Sequence, residues 1–287
     1  MDLNDKETLA YAAGFFDGEG CIVIRRTRGN TFWTSVRITS TDLPIIEWMR
    51  KNFGGATGVQ PPNKNAKVCR PCWFWGMGSK SATEFLKKIA PLLVIKRQQA
   101  DLAIEFQSRI EAPGVNRLTP EEIAIRETYK RRLVELKLGC QAETREGLFD
   151  APYIAGLLDG EGTILIFKVP GSFHLRVSVV NTDLPVLERM KGLFGGAICQ
   201  KLEKISIRTR PCWQWEIQGP KAAELLVELF PHLIIKKEQA KLALEFQSRK
   251  AAMKASKSSK EEMSNLGKEY KGKISGLNRR TFTAALA

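Results

Sequence analysis

Residues 11–20 read Tyr11-Ala12-Ala13-Gly14-Phe15-Phe16-Asp17-Gly18-Glu19-Gly20, and residues 153–162 read Tyr153-Ile154-Ala155-Gly156-Leu157-Leu158-Asp159-Gly160-Glu161-Gly162. The offset between them is 142 residues. Working outward, Thr41-Asp42-Leu43-Pro44 returns as Thr182-Asp183-Leu184-Pro185, and Phe53-Gly54-Gly55-Ala56 as Phe194-Gly195-Gly196-Ala197. Arg70-Pro71-Cys72-Trp73 with Trp75 returns as Arg210-Pro211-Cys212-Trp213 with Trp215, and Glu105 to Arg109 returns unchanged as Glu245 to Arg249. The offset drifts only from 142 to 140 along the series, so the chain is a tandem duplication. The repeat length is that of an ordinary domain and excludes a short-period solenoid. The spacing predicts one domain over 1–138, a linker over 139–152 and a second domain over 153–287.

Each half reads in the same order. Leu9, Ala12, Ala13 and Phe16 have helical spacing, so a helix is expected over Asp5–Asp17, stopped by Gly18 and Gly20. Cys21–Thr27 and Phe32–Ser40 read as strands, and Asp42 as the N-cap of a helix that ends at Gly54-Gly55. A strand follows over Val68–Met77, then helices over Lys80–Ile89, Lys96–Ile110 and Pro120–Leu138. The Lys-rich stretch Ser256–Leu277 is weakly amphipathic and is expected as a solvated or frayed outer helix.

Composition narrows the class. Of 287 residues, 45 are Lys or Arg and 31 Asp or Glu, a net charge of +14 that suits a polyanionic partner, nucleic acid being the commonest. At 43% apolar content the chain can bury a core. No apolar run reaches the roughly 18–20 residues of a membrane span, and the N-terminus lacks a secretory pattern, so an intracellular location without membrane is expected. Six cysteines are too few for a disulfide framework, and two histidines disfavour a zinc site or a histidine-based nuclease. Cys69 and Cys72 have CxxC spacing, but the second half has Thr209 at the first position, which leaves a metal set incomplete.

Gly14 and Gly18 are four apart, as are Gly156 and Gly160, so each pair shares a helix face. A mid-helix glycine costs about 1 kcal/mol relative to alanine, which a close helix pair between the halves would explain. In that arrangement Glu19 and Glu161 approach each other at two helix C-termini, where the dipole already disfavours a carboxylate. Solvated helix ends are one reading; two copies in a basic chain favour a site for a hard divalent cation.

The two ten-residue stretches resemble the LAGLIDADG motif of the LAGLIDADG homing endonucleases, in the single-chain form with two motifs. The resemblance covers nearly the whole chain, through repeat spacing and element order. It implies an α+β fold of two pseudo-twofold-related αββαββα domains whose antiparallel sheets form a DNA-binding saddle. It places the metal-ligating acids at Glu19 and Glu161, adds the carbonyls of Gly18 and Gly160 as ligands, and makes Asp17 and Asp159 the motif's structural acids. Lys96 and Lys236, at helix starts after an apolar run, match a basic residue that orients the attacking water or offsets developing phosphate charge. Ser40 and Asn181 match a polar residue at the strand–helix junction. Mg²⁺ is the implied cofactor, or another divalent cation such as Mn²⁺, or Ca²⁺ in non-cleaving complexes.

Strand alternation selects a DNA-facing set. In the first half it contains Arg25, Thr27, Trp33, Ser35, Arg37 and Arg70, with Cys21 and Val23 on the same face. In the second it contains Phe167, His174, Arg176, Ser178, Arg210 and Gln214, with Thr163, Leu165, Cys212 and Glu216 alongside, while Trp213, Trp215 and Ile217 face the helices. Lys64, Lys67, Lys201 and Lys204, in or near loops, are expected as phosphate contacts. The resulting expectation is a monomeric, site-specific endonuclease on a long pseudo-palindromic duplex, leaving short 3′ overhangs. Its alternatives are an intron RNA maturase on the same fold, with host intron RNA as partner, and a non-cleaving DNA-binding regulator. Organelle or prokaryotic cytoplasm would both accommodate it.

Overall fold

The structure is a computed structural model and describes residues 5–61, 71–111, 119–138, 149–201 and 211–279. The chain divides into two units, Met1–Leu148 and Phe149–Ala287. In the first, the order is α1 (Asp5–Glu19), β1 (Gly20–Arg26), β2 (Phe32–Ser40), α2 (Leu43–Phe53), β3 (Ala56–Gln60), β4 (Cys72–Gly78), α3 (Ser79–Ile89), α4 (Arg97–Glu111) and α5 (Pro120–Leu138). The second repeats it as α6 (Ala151–Glu161), β5 (Gly162–Val169), β6 (Ser172–Asn181), α7 (Leu184–Phe194), β7 (Ala197–Lys201), β8 (Cys212–Gln218), α8 (Gly219–Leu229), α9 (Lys237–Ala255) and α10 (Lys260–Arg279). Each unit holds one antiparallel four-stranded sheet, ordered β1-β2-β4-β3 and β5-β6-β8-β7. This is the α+β class and the αββαββα order that the sequence implies, with further helices at the end of each unit.

Helices cover one face of each sheet. Ile22, Ile24, Phe32, Val36, Ile38 and Trp75 are buried beneath them in the first unit, and Ile164, Ile166, Leu175, Val177, Val179 and Trp215 in the second. The repeated Phe-Gly-Gly-Ala and Trp motifs meet here. Gly54 and Gly195 end α2 and α7 with φ of 71° and 75°, and their carbonyls accept the indole N–H of Trp75 at 2.7 Å and of Trp215 at 2.8 Å. A buried indole N–H needs such an acceptor. The repeated Glu-Phe-Gln-Ser-Arg docks the last helix: the hydroxyl of Tyr129 on α5 donates to Glu105 at 2.5 Å, and that of Tyr270 on α10 donates to Glu245.

Several elements differ from the sequence reading. α1 does not stop at Gly18; it runs through Glu19 and passes directly into β1. A β-carbon on Gly20 would lie 2.5 Å from the Phe16 carbonyl oxygen, and one on Gly162 2.5 Å from that of Leu158. These glycines therefore let the strand fold back against the last helical turn. β3 and β7 were not among the expected strands, being five residues each beside glycine pairs. α6 begins within the expected linker because Asp150 caps it, accepting from the Tyr153 amide at 3.1 Å. α10 is not a solvated helix: Leu266, Tyr270 and Ile274 are buried. Their spacing of four puts them on one stripe, which packs on α9 and β5. Among the described residues, no helix is long and apolar enough to cross a membrane.

Candidate active site and nucleic-acid interface

The end of α1 and the start of α4 are locked together. The Asp17 carboxylate, 2% exposed, accepts three backbone N–H groups: Val94 at 2.7 Å, Ile95 at 3.0 Å and Lys96 at 2.8 Å. In return the Lys96 ammonium donates to the carbonyls of Phe16 at 3.0 Å, Asp17, and Gly18 at 3.3 Å. Two helix termini thereby satisfy each other's orphan groups, an anion on amides and a cation on carbonyls. The second unit repeats the lock. Asp159 accepts from Ile234 at 2.8 Å, Ile235 at 2.9 Å and Lys236 at 2.8 Å, and the Lys236 ammonium donates to the Asp159 carbonyl. This is why the motif needs its first acid, a role that sequence spacing alone does not show. The Leu-Val-Ile-Lys and Leu-Ile-Ile-Lys runs were the available signal.

Glu19 follows at the exposed end of α1, and half-buried Glu161 takes the same place on α6. The charge of Glu19 reaches Cys72, whose thiol is raised above its ordinary value by burial first and by Glu19 second, with Arg37 opposing. Glu19, Cys72 and Arg37 therefore share one neighbourhood at the head of the first sheet. Among the described residues, no three His, Cys, Asp or Glu side chains gather into a metal cluster. A cation at Glu19 would rest on one carboxylate, backbone oxygens, water and substrate phosphates. Mg²⁺, which keeps several waters and takes one or two carboxylates, fits that donor set. It would share the Gly18 oxygen with Lys96, since a carbonyl has two lone pairs.

The face of each sheet away from the helices carries the candidate readers. In the first unit Cys21, Val23 and Arg25 of β1 pair with Arg37, Ser35 and Trp33 of β2. Phe74, Gly76 and Gly78 of β4 and Gln60 of β3 belong to the same face. The Arg37 guanidinium lies 4.0 Å from the Phe74 ring centroid and donates to Gln60 at 2.5 Å. In the second unit Arg176 lies 4.1 Å from the Phe167 ring centroid and is 3.2 Å from Glu216. The guanidinium groups of Arg37 and Arg176 are thus held over aromatic rings, which positions a planar donor fork in advance. Burial and the charge of Lys250 push the His174 imidazole below its ordinary value, so it is neutral near pH 7 with one donor and one acceptor. Ser178 pairs with Glu216 on this face, Gln214 lies beside it, and Lys201 is exposed at the end of β7.

Three candidates sit elsewhere. Ser40 and Asn181 have the parity of the buried face, and their side-chain oxygens accept the amides of Asp42 at 3.0 Å and Asp183 at 2.8 Å. They shape the turn into α2 and α7, because a short polar side chain two residues back competes well for that amide. Thr27 lies beyond β1, its hydroxyl accepting the Thr31 amide at 3.2 Å in the hairpin turn. Lys64, Lys67, Arg70, Lys204 and Arg210 lie outside the described residues. Phe74 and Gln60 were absent from the sequence-selected face, Gln60 because β3 was not expected as a strand; Glu216 was placed on that face, but parity does not show which side chains engage each other.

No family model and no curated protein sequence matches the chain. Solved structures do. The LAGLIDADG meganuclease I-AabMI bound to uncleaved DNA superposes with a TM-score of 0.69 at 17% identity, over 92% of this chain and 98% of that one. The LAGLIDADG homing endonuclease I-SmaMI bound to cleaved DNA gives 0.64 at 16% identity over 99% of both chains. I-GzeII, of the same description and in complex with its DNA target, gives 0.65 at 16% over 93% of this chain and 97% of that one. The fold is that of the LAGLIDADG homing endonucleases. In this LAGLIDADG fold both motif copies are present, and the Asp–Lys lock is built twice. I-SmaMI has also been solved on uncleaved DNA with calcium ions, at 16% identity.

Proposed function

We propose that this chain is a site-specific endonuclease for double-stranded DNA, acting as a monomer on a long, imperfectly palindromic site. One observation carries the reading. In each unit a glutamate stands at the end of a helix fixed by an Asp–Lys lock, directly ahead of a sheet whose open face presents preformed arginines. A regulator that only binds has no use for two such ends.

In this reading Glu19 and Glu161 each hold Mg²⁺ for the cut on one strand, with the Gly18 and Gly160 carbonyls as further oxygen donors. When bound, the cation lowers the pKa of the attacking water and neutralises charge at the phosphate. Lys96 and Lys236 keep a fixed positive charge beside each glutamate, which offsets the negative helix end and stabilises charge developing on phosphate oxygens. Each sheet enters a major groove and reads one half-site, with Arg37 and Arg176 suited to guanine. Cleavage across the minor groove leaves short 3′ overhangs. Because Arg25 and Ser35 of one half stand opposite Phe167 and Arg176 of the other in the repeat, the two half-sites differ.

The test is a plasmid carrying the DNA formed by joining the gene's flanks. It should be linearised with Mg²⁺, and Glu19→Gln and Glu161→Gln should bind it without cutting both strands. Cleavage that survives loss of both glutamates sinks the mechanism. Tight Mg²⁺-dependent binding of intron RNA without DNA cleavage would assign the chain as a maturase instead.

A further inference from the structure

The open face of the second sheet carries an acid at its centre, where a polyanion binder should avoid one. Glu216 stands between Ser178 on β6 and Ala197 on β7, two side chains too small to cover it. Its Oε2 accepts from the amide of Gln214 at 2.9 Å and lies 3.2 Å from Nη1 of Arg176, and its Oε1 accepts from the amide of Gln218 at 2.8 Å. Two amide donors and one guanidinium converge on this carboxylate, which remains 21% exposed. The repeat puts Gly76 at this place in the first unit, where a β-carbon would lie 2.8 Å from the Val36 carbonyl oxygen. The acid is therefore a property of one half only.

Resting on the DNA reading above, we infer that Glu216 is a specificity-determining residue of the second unit. It orients Arg176, Gln214 and Gln218 and accepts a hydrogen from the exocyclic amine of one cytosine or adenine. The argument is one of donors. Phosphates offer a carboxylate only repulsion, whereas base edges in the major groove offer it N4 of cytosine and N6 of adenine. An ionised carboxylate has about four lone-pair sites, so two amide donors and the Arg176 ion pair leave room for a base. The same contacts fix the neighbours. Both glutamine nitrogens turn toward Glu216, which leaves their carbonyl oxygens as outward acceptors. Arg176 is held between Glu216 and the Phe167 ring, so its remaining N–H groups are aimed before DNA arrives. A surface ion pair of no consequence for recognition would show none of this selectivity.

The experiment uses the full chain, Ca²⁺ in place of Mg²⁺, and a pool of duplexes with a randomised core long enough for both half-sites. Bound duplexes are recovered and sequenced for wild type, Glu216→Gln, Glu216→Ala and Arg37→Ala, and binding to an unselected duplex is measured in parallel. Wild type should fix a cytosine or adenine within one half-site. Both Glu216 variants should lose that preference by about tenfold, the scale of one base contact, while binding unselected DNA more tightly. Arg37→Ala should relax the other half-site, which identifies the half that belongs to each unit. Glu216→Gln keeps the side chain's size, so it carries the test if the alanine variant melts early. Glu216 variants that recover the wild-type sequence with wild-type stringency, or that lose preference equally at every position, overturn the inference and leave the DNA reading standing. Wild-type protein that enriches no sequence overturns both.

Discussion

Asp17→Asn and Glu19→Gln each exchange one carboxylate oxygen for an amide nitrogen, two residues apart, and should fail in opposite ways. Asp17 is buried and accepts three backbone N–H groups, two on Oδ2 and one on Oδ1. An asparagine that keeps oxygen at the Oδ2 position retains two of these bonds without their charge assistance and turns an NH₂ toward the Lys96 amide. Hydrogen bonds to charged groups contribute about 1.5–3 kcal/mol against about 0.5–1.5 for neutral ones, so the two retained bonds lose about 1 kcal/mol each. The stranded Lys96 N–H adds a desolvation cost of about 1–3 kcal/mol, which brings the loss to about 3–5 kcal/mol. For a unit of this size that lowers Tm by about 6–20 °C. Glu19 is exposed, so its amide variant should stay within about 0.5 kcal/mol of wild type. Calorimetry gives the melting temperatures, amide exchange at Val94, Ile95 and Lys96 localises the loss, and plasmid cleavage gives the activity. The expected pattern is a destabilised Asp17→Asn with fast exchange at those amides, and a stable Glu19→Gln that does not cut. An Asp17→Asn protein that melts with wild type and keeps those amides protected would refute the lock.

Other consequences can be measured in the same way. Burial alone would raise the Glu122 carboxyl, but its hydrogen bonds to Arg126 and Arg109 hold it below its ordinary value. Its ionisation therefore stabilises the fold above the usual carboxylate range, about pH 4.3, and that contribution is lost as pH falls through the lowered value. Glu122→Gln should be less stable than wild type at pH 7 and converge with it in acid, as denaturant titrations at a series of pH values would show. Gly267→Ala should cost about 1–3 kcal/mol, because its β-carbon would lie 2.2 Å from the Phe173 ring, and a melt unchanged from wild type would contradict the docking of α10 on β6. Trp75→Phe removes the 2.7 Å bond to the Gly54 carbonyl and should cost about 1–2 kcal/mol in equilibrium unfolding. Chelation of divalent ions should abolish cleavage while leaving sequence-specific binding measurable by gel shift.

The sequence alone determined the duplication, most of the helices and strands of each half, the two helix ends with their acids, and the open-face parity of Arg25, Arg37, His174 and Arg176. These follow from short-range rules: repetition is visible in one dimension, and a strand alternates faces every residue. What lay beyond it depended on which distant groups meet. Whether Asp17 binds a cation or caps a helix was settled by three amides 77–79 residues away. The stripe of Leu266, Tyr270 and Ile274 became core only because α9 and β5 cover it. Glu216 shows the division most clearly. Alternation along β8 gives its face and the glutamines two residues either side, but its pairing with Arg176 exists only once β6 lies beside β8, since a carboxylate's role is also set by the groups that tertiary structure brings close to it.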